Sequence, residues 1–197
     1  MKYIYRMQKD VPEMIKMPAL LLIGGTSRKI GKTTLASMVI GKFGKAHKIT
    51  AVKISNIAPG DEAFHGFHEY KLRENYSILK ENKSGKKDSQ RMLGSGAEQS
   101  YFVRVQDKFI GEAFRELIQE IGENTIIVCE SNSLRSIVEP GVFLMLHDKN
   151  EKAVKTGSKQ LLAMADICLQ AHDHPGFLNT IQRLELSKAG WFIRDGH

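Results

Sequence analysis

The stretch that most constrains this chain is ALLLIGGTSRKIGKTT, residues 19–34. Five apolar residues, Ala19–Ile23, run into Gly24 and Gly25. The stretch closes on Gly31-Lys32-Thr33-Thr34 and is followed by apolar positions at Leu35, Met38, Val39 and Phe43. That order predicts a buried strand, a glycine-rich loop and a helix from about Lys32 to Lys45. The chemistry such a loop serves is anion binding. Backbone N–H groups converge where glycine permits positive φ, and the helix N-terminus adds unpaired donors and a positive dipole end. The residues expected to cradle a polyphosphate are Gly25, Thr26, Ser27, Arg28, Lys29, Ile30, Gly31, Lys32, Thr33 and Thr34. In this reading Lys32 reaches the β- and γ-phosphates and the Thr33 hydroxyl binds Mg²⁺. Thr34 bonds a phosphate nearer the nucleoside. The spacing is long by one: five residues, not four, separate Gly25 from Gly31.

Beyond this stretch the chain alternates apolar runs with helical patterns. Strands are expected at Ile49–Ile54, Tyr101–Val105, Thr125–Cys129, Val142–Leu146 and Asp166–Gln170, with a further short one at Tyr3–Arg6. Helices are expected at Glu69–Leu79, from Asp88 as cap to Leu93, from Asp107 as cap to Gly122, at Ser158–Met164 and at Asn179–Ser187. Residues 1–17 read as an N-terminal extension and 55–87 as a polar, mobile insertion within one domain spanning 1–197. Alternation of this kind predicts an α/β fold with a mainly parallel sheet covered by helices on both faces. Ligands of such sheets lie outside the carboxyl ends of the strands. Lys32, Lys53, Asp88, Glu130 and His147 are thereby expected at one crevice.

Ile126-Ile127-Val128-Cys129-Glu130 has the form of a strand that delivers a carboxylate to a phosphate site. Asp88 and Glu130 lie 42 positions apart in sequence, and the topology brings both to that edge. Two acids beside an anionic ligand imply a divalent cation between them. The expected metal ligands are therefore Thr33, Asp88 and Glu130, and the expected catalytic residues Lys32, Asp88 and Glu130. His172-Asp173-His174 and the pair His65 and His68 lack a third ligand of clear spacing; the first is expected to be a surface turn. Cys129 and Cys168 lie in apolar runs and are expected to be buried free thiols, with no CxxC pair. No G-x-S-x-G sequence supports a serine nucleophile.

The charge balance is 29 basic against 22 acidic residues, a net +7, which suits an anionic ligand but does not choose one. Nucleic acid is the weaker reading, since no zinc finger, RNA-recognition signature or long basic helix is present. No apolar run approaches the roughly 20 residues of a membrane span, and Ala19–Ile23, which leads into the glycine-rich loop, is shorter than the apolar stretch of a signal peptide. A cytoplasmic protein without membrane contact is expected.

The order of these motifs resembles the adaptor family of molybdopterin-guanine dinucleotide biosynthesis (MobB). The resemblance covers roughly residues 19–146. Lys87-Asp88-Ser89, the small-residue turn Gly94–Ala97 and the strand ending at Glu130 carry it. It implies a three-layer P-loop NTPase-like fold, GTP and Mg²⁺ as cofactors and weak NTP hydrolysis. It also implies a homodimer that assists a molybdenum-cofactor synthesis enzyme. The longer loop is similar instead to dethiobiotin synthetase and cobyrinic-acid-type enzymes, which implies an ATP-dependent ligase or kinase acting on a small acceptor. In place of the adaptor family's usual residues, Ile54 follows Lys53, and Glu130-Ser131-Asn132-Ser133 replaces a glycine-containing turn. No Asn-Lys-x-Asp guanine-reading motif is present.

Overall fold

The structure is a computed structural model that describes residues 14–57, 75–149 and 156–195. Along the chain it runs β1 (Ile15–Gly25), α1 (Lys32–Phe43), β2 (Ile49–Asn56), β3 (Tyr76–Lys80), α2 (Asp88–Gly94), β4 (Gln99–Val105), α3 (Ile110–Ile121), β5 (Ile126–Glu130), β6 (Val138–His147), α4 (Thr156–Ala163), β7 (Ile167–Gln170), α5 (His174–Arg183), β8 (Leu184–Ser187) and β9 (Gly190–Ile193). Seven strands form one sheet in the order β3-β4-β2-β5-β1-β6-β7. All neighbours are parallel except β3, which runs antiparallel to β4 at one edge.

Side-chain alternation explains the layers. Leu21 and Ile23 of β1 face a core built with Leu35, Val39 and Ile40 of α1, Met92 of α2, and Phe177 and Ile181 of α5. Leu20 and Leu22 face the opposite core, with Ile110, Phe114 and Leu117 of α3 and the flanking Leu161 and Leu162 of α4. Successive residues of a strand point to opposite faces, so an unbroken apolar run is what a strand covered on both sides requires. Leu20, Leu21, Leu22 and Ile23 are all fully buried. At about 1.5–3 kcal/mol for each side chain, they anchor the centre of the sheet and fix where the glycine-rich loop leaves it.

Several element expectations change. β1 begins at Ile15, inside the expected extension, where Ile15–Met17 pair with Val138–Pro140. Two extra residues then bulge from β1 before pairing resumes at Leu21 with Val142. Pro18 lacks an N–H and suits the interruption. The Pro18 carbonyl fills the space that side chains at Gly141 and Gly190 would need. The helix expected at Glu69–Leu79 is contradicted at its end, since Tyr76–Lys80 is the edge strand. Its start, like Tyr3–Arg6, His65 and His68, lies outside the described residues. The helix expected at Asn179–Ser187 begins earlier, at His174, and gives way to β8. Asp173 caps it by accepting from the Gly176 N–H at 3.1 Å, with Pro175 in the first turn. The β8–β9 hairpin packs Trp191 edge-on to Phe43 at 4.9 Å, and its indole N–H donates to the Ala19 carbonyl at 3.0 Å. Among the described residues no helix is long and apolar enough to cross a membrane.

Candidate functional site

The loop between β1 and α1 is held at its start by a side chain that sequence reasoning missed. Asn132, just past β5, accepts from the Gly25 N–H and donates to the Gly25 carbonyl, each at 2.8 Å. No local sequence signal joins positions 107 residues apart. The Thr26 N–H donates to the Leu146 carbonyl at 2.9 Å, tying the loop to β6 as well. Ile30 tucks beneath the loop and is buried, while Arg28 and Lys29 are exposed.

Positive φ occurs at Lys29 (59°) and Gly31 (103°) but not at Arg28 or Ile30. Alternation of this kind turns successive N–H groups toward one concavity, the backbone nest that binds anions. Gly31 is needed there twice over. Its φ is left-handed, and a Cβ would sit 3.3 Å from the Phe177 ring. Gly31 occupies the N-cap position of α1 without a capping side chain, and the first turn of the helix carries no acid. Its leading N–H groups thus keep their donor capacity toward the loop. The Thr26 hydroxyl oxygen is buried with no partner.

Lys32 folds back so that its ammonium donates to the Ser27 carbonyl at 2.7 Å. Burial is the main cause that lowers its pKa from the usual lysine value. Glu130 and Asp88 pull it upward, while Lys53 and Arg28 push it further down. One step into the helix, the Thr33 hydroxyl donates to Glu130 Oε2 at 2.7 Å. Glu130 is buried, and its other oxygen is ion-paired with Lys53. Lys53 Nζ also lies 3.5 Å from Asp88 Oδ2. Lys53 is paired in register with Glu130 across β2 and β5, so both side chains stand on the α1 face of the sheet.

Lys32, Thr33, Lys53, Asp88 and Glu130 therefore come together as the topology predicts. His147 ends β6 at the same carboxyl edge, on the far side of β1 from Glu130. Two roles change. Asp88 is the first residue of α2 rather than its cap, and no side chain caps that helix at Lys87. Asp107 begins a short 3₁₀ turn over Asp107–Phe109 and bonds the Asn56 amide. Lys53 already supplies countercharge between Asp88 and Glu130, so the gathering of two acids does not by itself require a divalent cation.

Arg91, also unforeseen, projects from α2 with Nη2 3.5 Å from the Thr34 hydroxyl. α2 is oriented by Glu81, a buried carboxylate that accepts from Ser89 Oγ at 2.5 Å and Gln90 Nε2 at 3.1 Å. The site thus gathers Lys32, Lys53, Arg28 and Arg91 against Glu130 and Asp88, with cations in excess. Among the described residues no cluster of three His, Cys, Asp or Glu could hold a metal. His172 and His174 are exposed and flank the Asp173 cap. Cys129 is buried and its thiol pKa is pushed up by burial. Cys168, against expectation, is exposed.

Such a site offers a positive concavity of backbone donors, a lysine held by a backbone carbonyl, and a hydroxyl–carboxylate pair. Hard oxygen donors of this kind suit Mg²⁺, which commonly takes only one or two protein ligands and fills its shell with phosphate and water. Comparison of the chain with protein-family models, curated proteins and solved structures finds no match.

Proposed function

We propose that the chain is a Mg²⁺-dependent nucleotide-binding protein of the P-loop NTPase type. It takes a nucleoside triphosphate, GTP in this reading, and hydrolyses it slowly. The observation that carries the reading is the alternating-sign backbone at residues 28–31 leading into an uncapped helix that begins Lys32-Thr33. The nest and the first turn of α1 hold the phosphates. Lys32 leaves the neutral Ser27 carbonyl for the anionic β/γ oxygens, so that its charged donor meets charged acceptors. Thr33 and Glu130 hold Mg²⁺, which neutralises phosphate charge. Asp88 and Glu130 keep the metal side of the site acidic, and Arg28 and Arg91 stand at its rim.

The motif order supports a role as the adaptor of molybdopterin-guanine dinucleotide synthesis, acting as a homodimer on a partner enzyme. A second reading, an ATP-dependent ligase or kinase acting on a small acceptor, has the longer loop in its favour. It also has polar groups at the same edge: Ser133 Oγ donates to Asn56 Oδ1 at 2.9 Å and lies 3.3 Å from Ser131 Oγ.

The test pairs hydrolysis with affinity. Asp88→Asn and Glu130→Gln are expected to lower Mg²⁺-dependent GTP hydrolysis more than they lower GTP affinity in chelator. If both quantities stay at wild-type values in both variants, the acidic half of the site has no role. ATP binding that outcompetes GTP, with phosphate released only when a small acceptor is added, would favour the ligase reading.

A further inference from the structure

We propose that Lys53 is a tethered counter-cation that holds the place of the divalent metal at Glu130 and gives it up when the metal arrives. The inference deepens the nucleotide-binding reading and rests on it for its physiological meaning. It begins with register. Lys53 and Glu130 are directly paired across parallel strands, so their side chains leave the sheet on one face as neighbours. Backbone pairing keeps them there whatever the loops do. Both oxygens of Glu130 are engaged, one by Lys53 and the other by the Thr33 hydroxyl. The side chain of Glu130 is only 3% exposed. A carboxylate so buried needs a standing partner, since an unpaired charge in that position is strongly destabilising.

Lys53 fills that need with one positive charge, and a divalent cation would fill it with two. The two cations compete for the same oxygens. Lys53 has a second place to go: Asp88 Oδ2 lies 3.5 Å from its ammonium and is half-exposed. A rotation of the long, flexible lysine stem moves the charge from Glu130 to Asp88 without leaving either acid unpaired. With no nucleotide present, Lys53 holds the affinity for free divalent cation low, so that the metal enters only at high concentration. When a polyphosphate adds negative charge beside Lys32, the balance tips toward the divalent ion. Metal and nucleotide then enter together.

The experiment titrates nucleotide-free protein with Mn²⁺ and reads the free ion by electron paramagnetic resonance. Wild type is expected to bind weakly, Lys53→Met at least tenfold more tightly, and Lys53→Met/Glu130→Gln at the wild-type level. Equal affinity in Lys53→Met and wild type overturns the proposal, as does tight binding that persists in the double variant. Should Lys53→Met fail to fold, wild type itself carries the test through acetylation of Lys53, quantified by mass spectrometry. Saturating Mn²⁺, against sodium at matched ionic strength, is expected to raise labelling of Lys53 at least threefold while exposed Lys48 is unchanged. Unchanged labelling of Lys53 overturns the proposal. No arm contains nucleotide. Wild type that shows these metal results but binds no GTP or ATP refutes the nucleotide reading alone; the reverse refutes only this inference.

Discussion

Replacing Asn132 with alanine removes both bonds that clamp the start of the glycine-rich loop. The amide accepts from the Gly25 N–H and donates to its carbonyl, each at 2.8 Å. Gly25 is buried, so its freed groups do not simply return to water. Two hydrogen bonds at about 1 kcal/mol each, plus part of the desolvation cost of stranding their partners, give a loss of about 2–4 kcal/mol. At about 2–4 °C per kcal/mol for a chain of this size, the melting point falls by roughly 5–15 °C. Asn132→Asp is expected to be worse than alanine, because a carboxylate turns the donor facing the Gly25 carbonyl into a second acceptor. The assay is denaturant unfolding followed by fluorescence of Trp191, the chain's one tryptophan, which is buried away from the loop in the C-terminal hairpin. A loss under about 0.5 kcal/mol in alanine, the level of an ordinary surface substitution, would refute the clamp. So would aspartate matching alanine.

Other consequences follow from the same geometry. Lys32 has a lowered pKa in the free protein, and a bound polyphosphate raises it again. Triphosphate affinity should therefore fall as pH rises through that lowered value, before the usual lysine range is reached. The free fold gains stability over the same interval, because there the unfolded chain binds the extra proton. Lys32→Arg should flatten the affinity profile, and a wild-type profile as flat as that variant's would contradict the assignment. Thr33→Val keeps the shape and removes the oxygen, so Mg²⁺ should no longer enhance nucleotide affinity; calorimetry with and without the metal reads this directly. Gly190→Ala places a methyl group against the Pro18 carbonyl at a φ of 121°. Left-handed strain of about 1–2 kcal/mol plus the displaced bulge should lower stability measurably in the same Trp191 assay, with triphosphate affinity unchanged.

Which parts of this were legible before the structure depended on whether the cue was local. Leu20–Ile23, the two glycines and Gly-Lys-Thr-Thr occupy adjacent positions and report one strand–loop–helix unit. The parallel order then places Lys53, Asp88 and Glu130 at one edge without any contact being known. Leu184-Glu185-Leu186-Ser187 alternates with period two and is β8, although the helix expected at Asn179–Ser187 covers it. The cap and proline at Asp173-His174-Pro175 mark where that helix starts, and the first alternation after it marks a strand. Tyr76–Lys80 is a short edge strand at the end of a polar stretch, where apolar residues alone distinguish poorly between strand and helix. Asn132 acts on Gly25, 107 positions away, which only folding brings near. The contact of Lys53 with both acids needed the β2–β5 register, which no single stretch encodes.

The central claim is that the loop before α1 binds the phosphates of a nucleoside triphosphate through its backbone and Lys32. Calorimetric titration of wild type and Lys32→Ala with GTP, in Mg²⁺ and in chelator, tests it most directly. Wild type should bind saturably and more tightly with Mg²⁺. Lys32→Ala should lose about 2 kcal/mol or more, the scale of removing one partner of a desolvated charged contact, while unfolding at or near the wild-type denaturant midpoint. Binding of equal strength in the two proteins, or no binding of either GTP or ATP by wild type, would contradict the account.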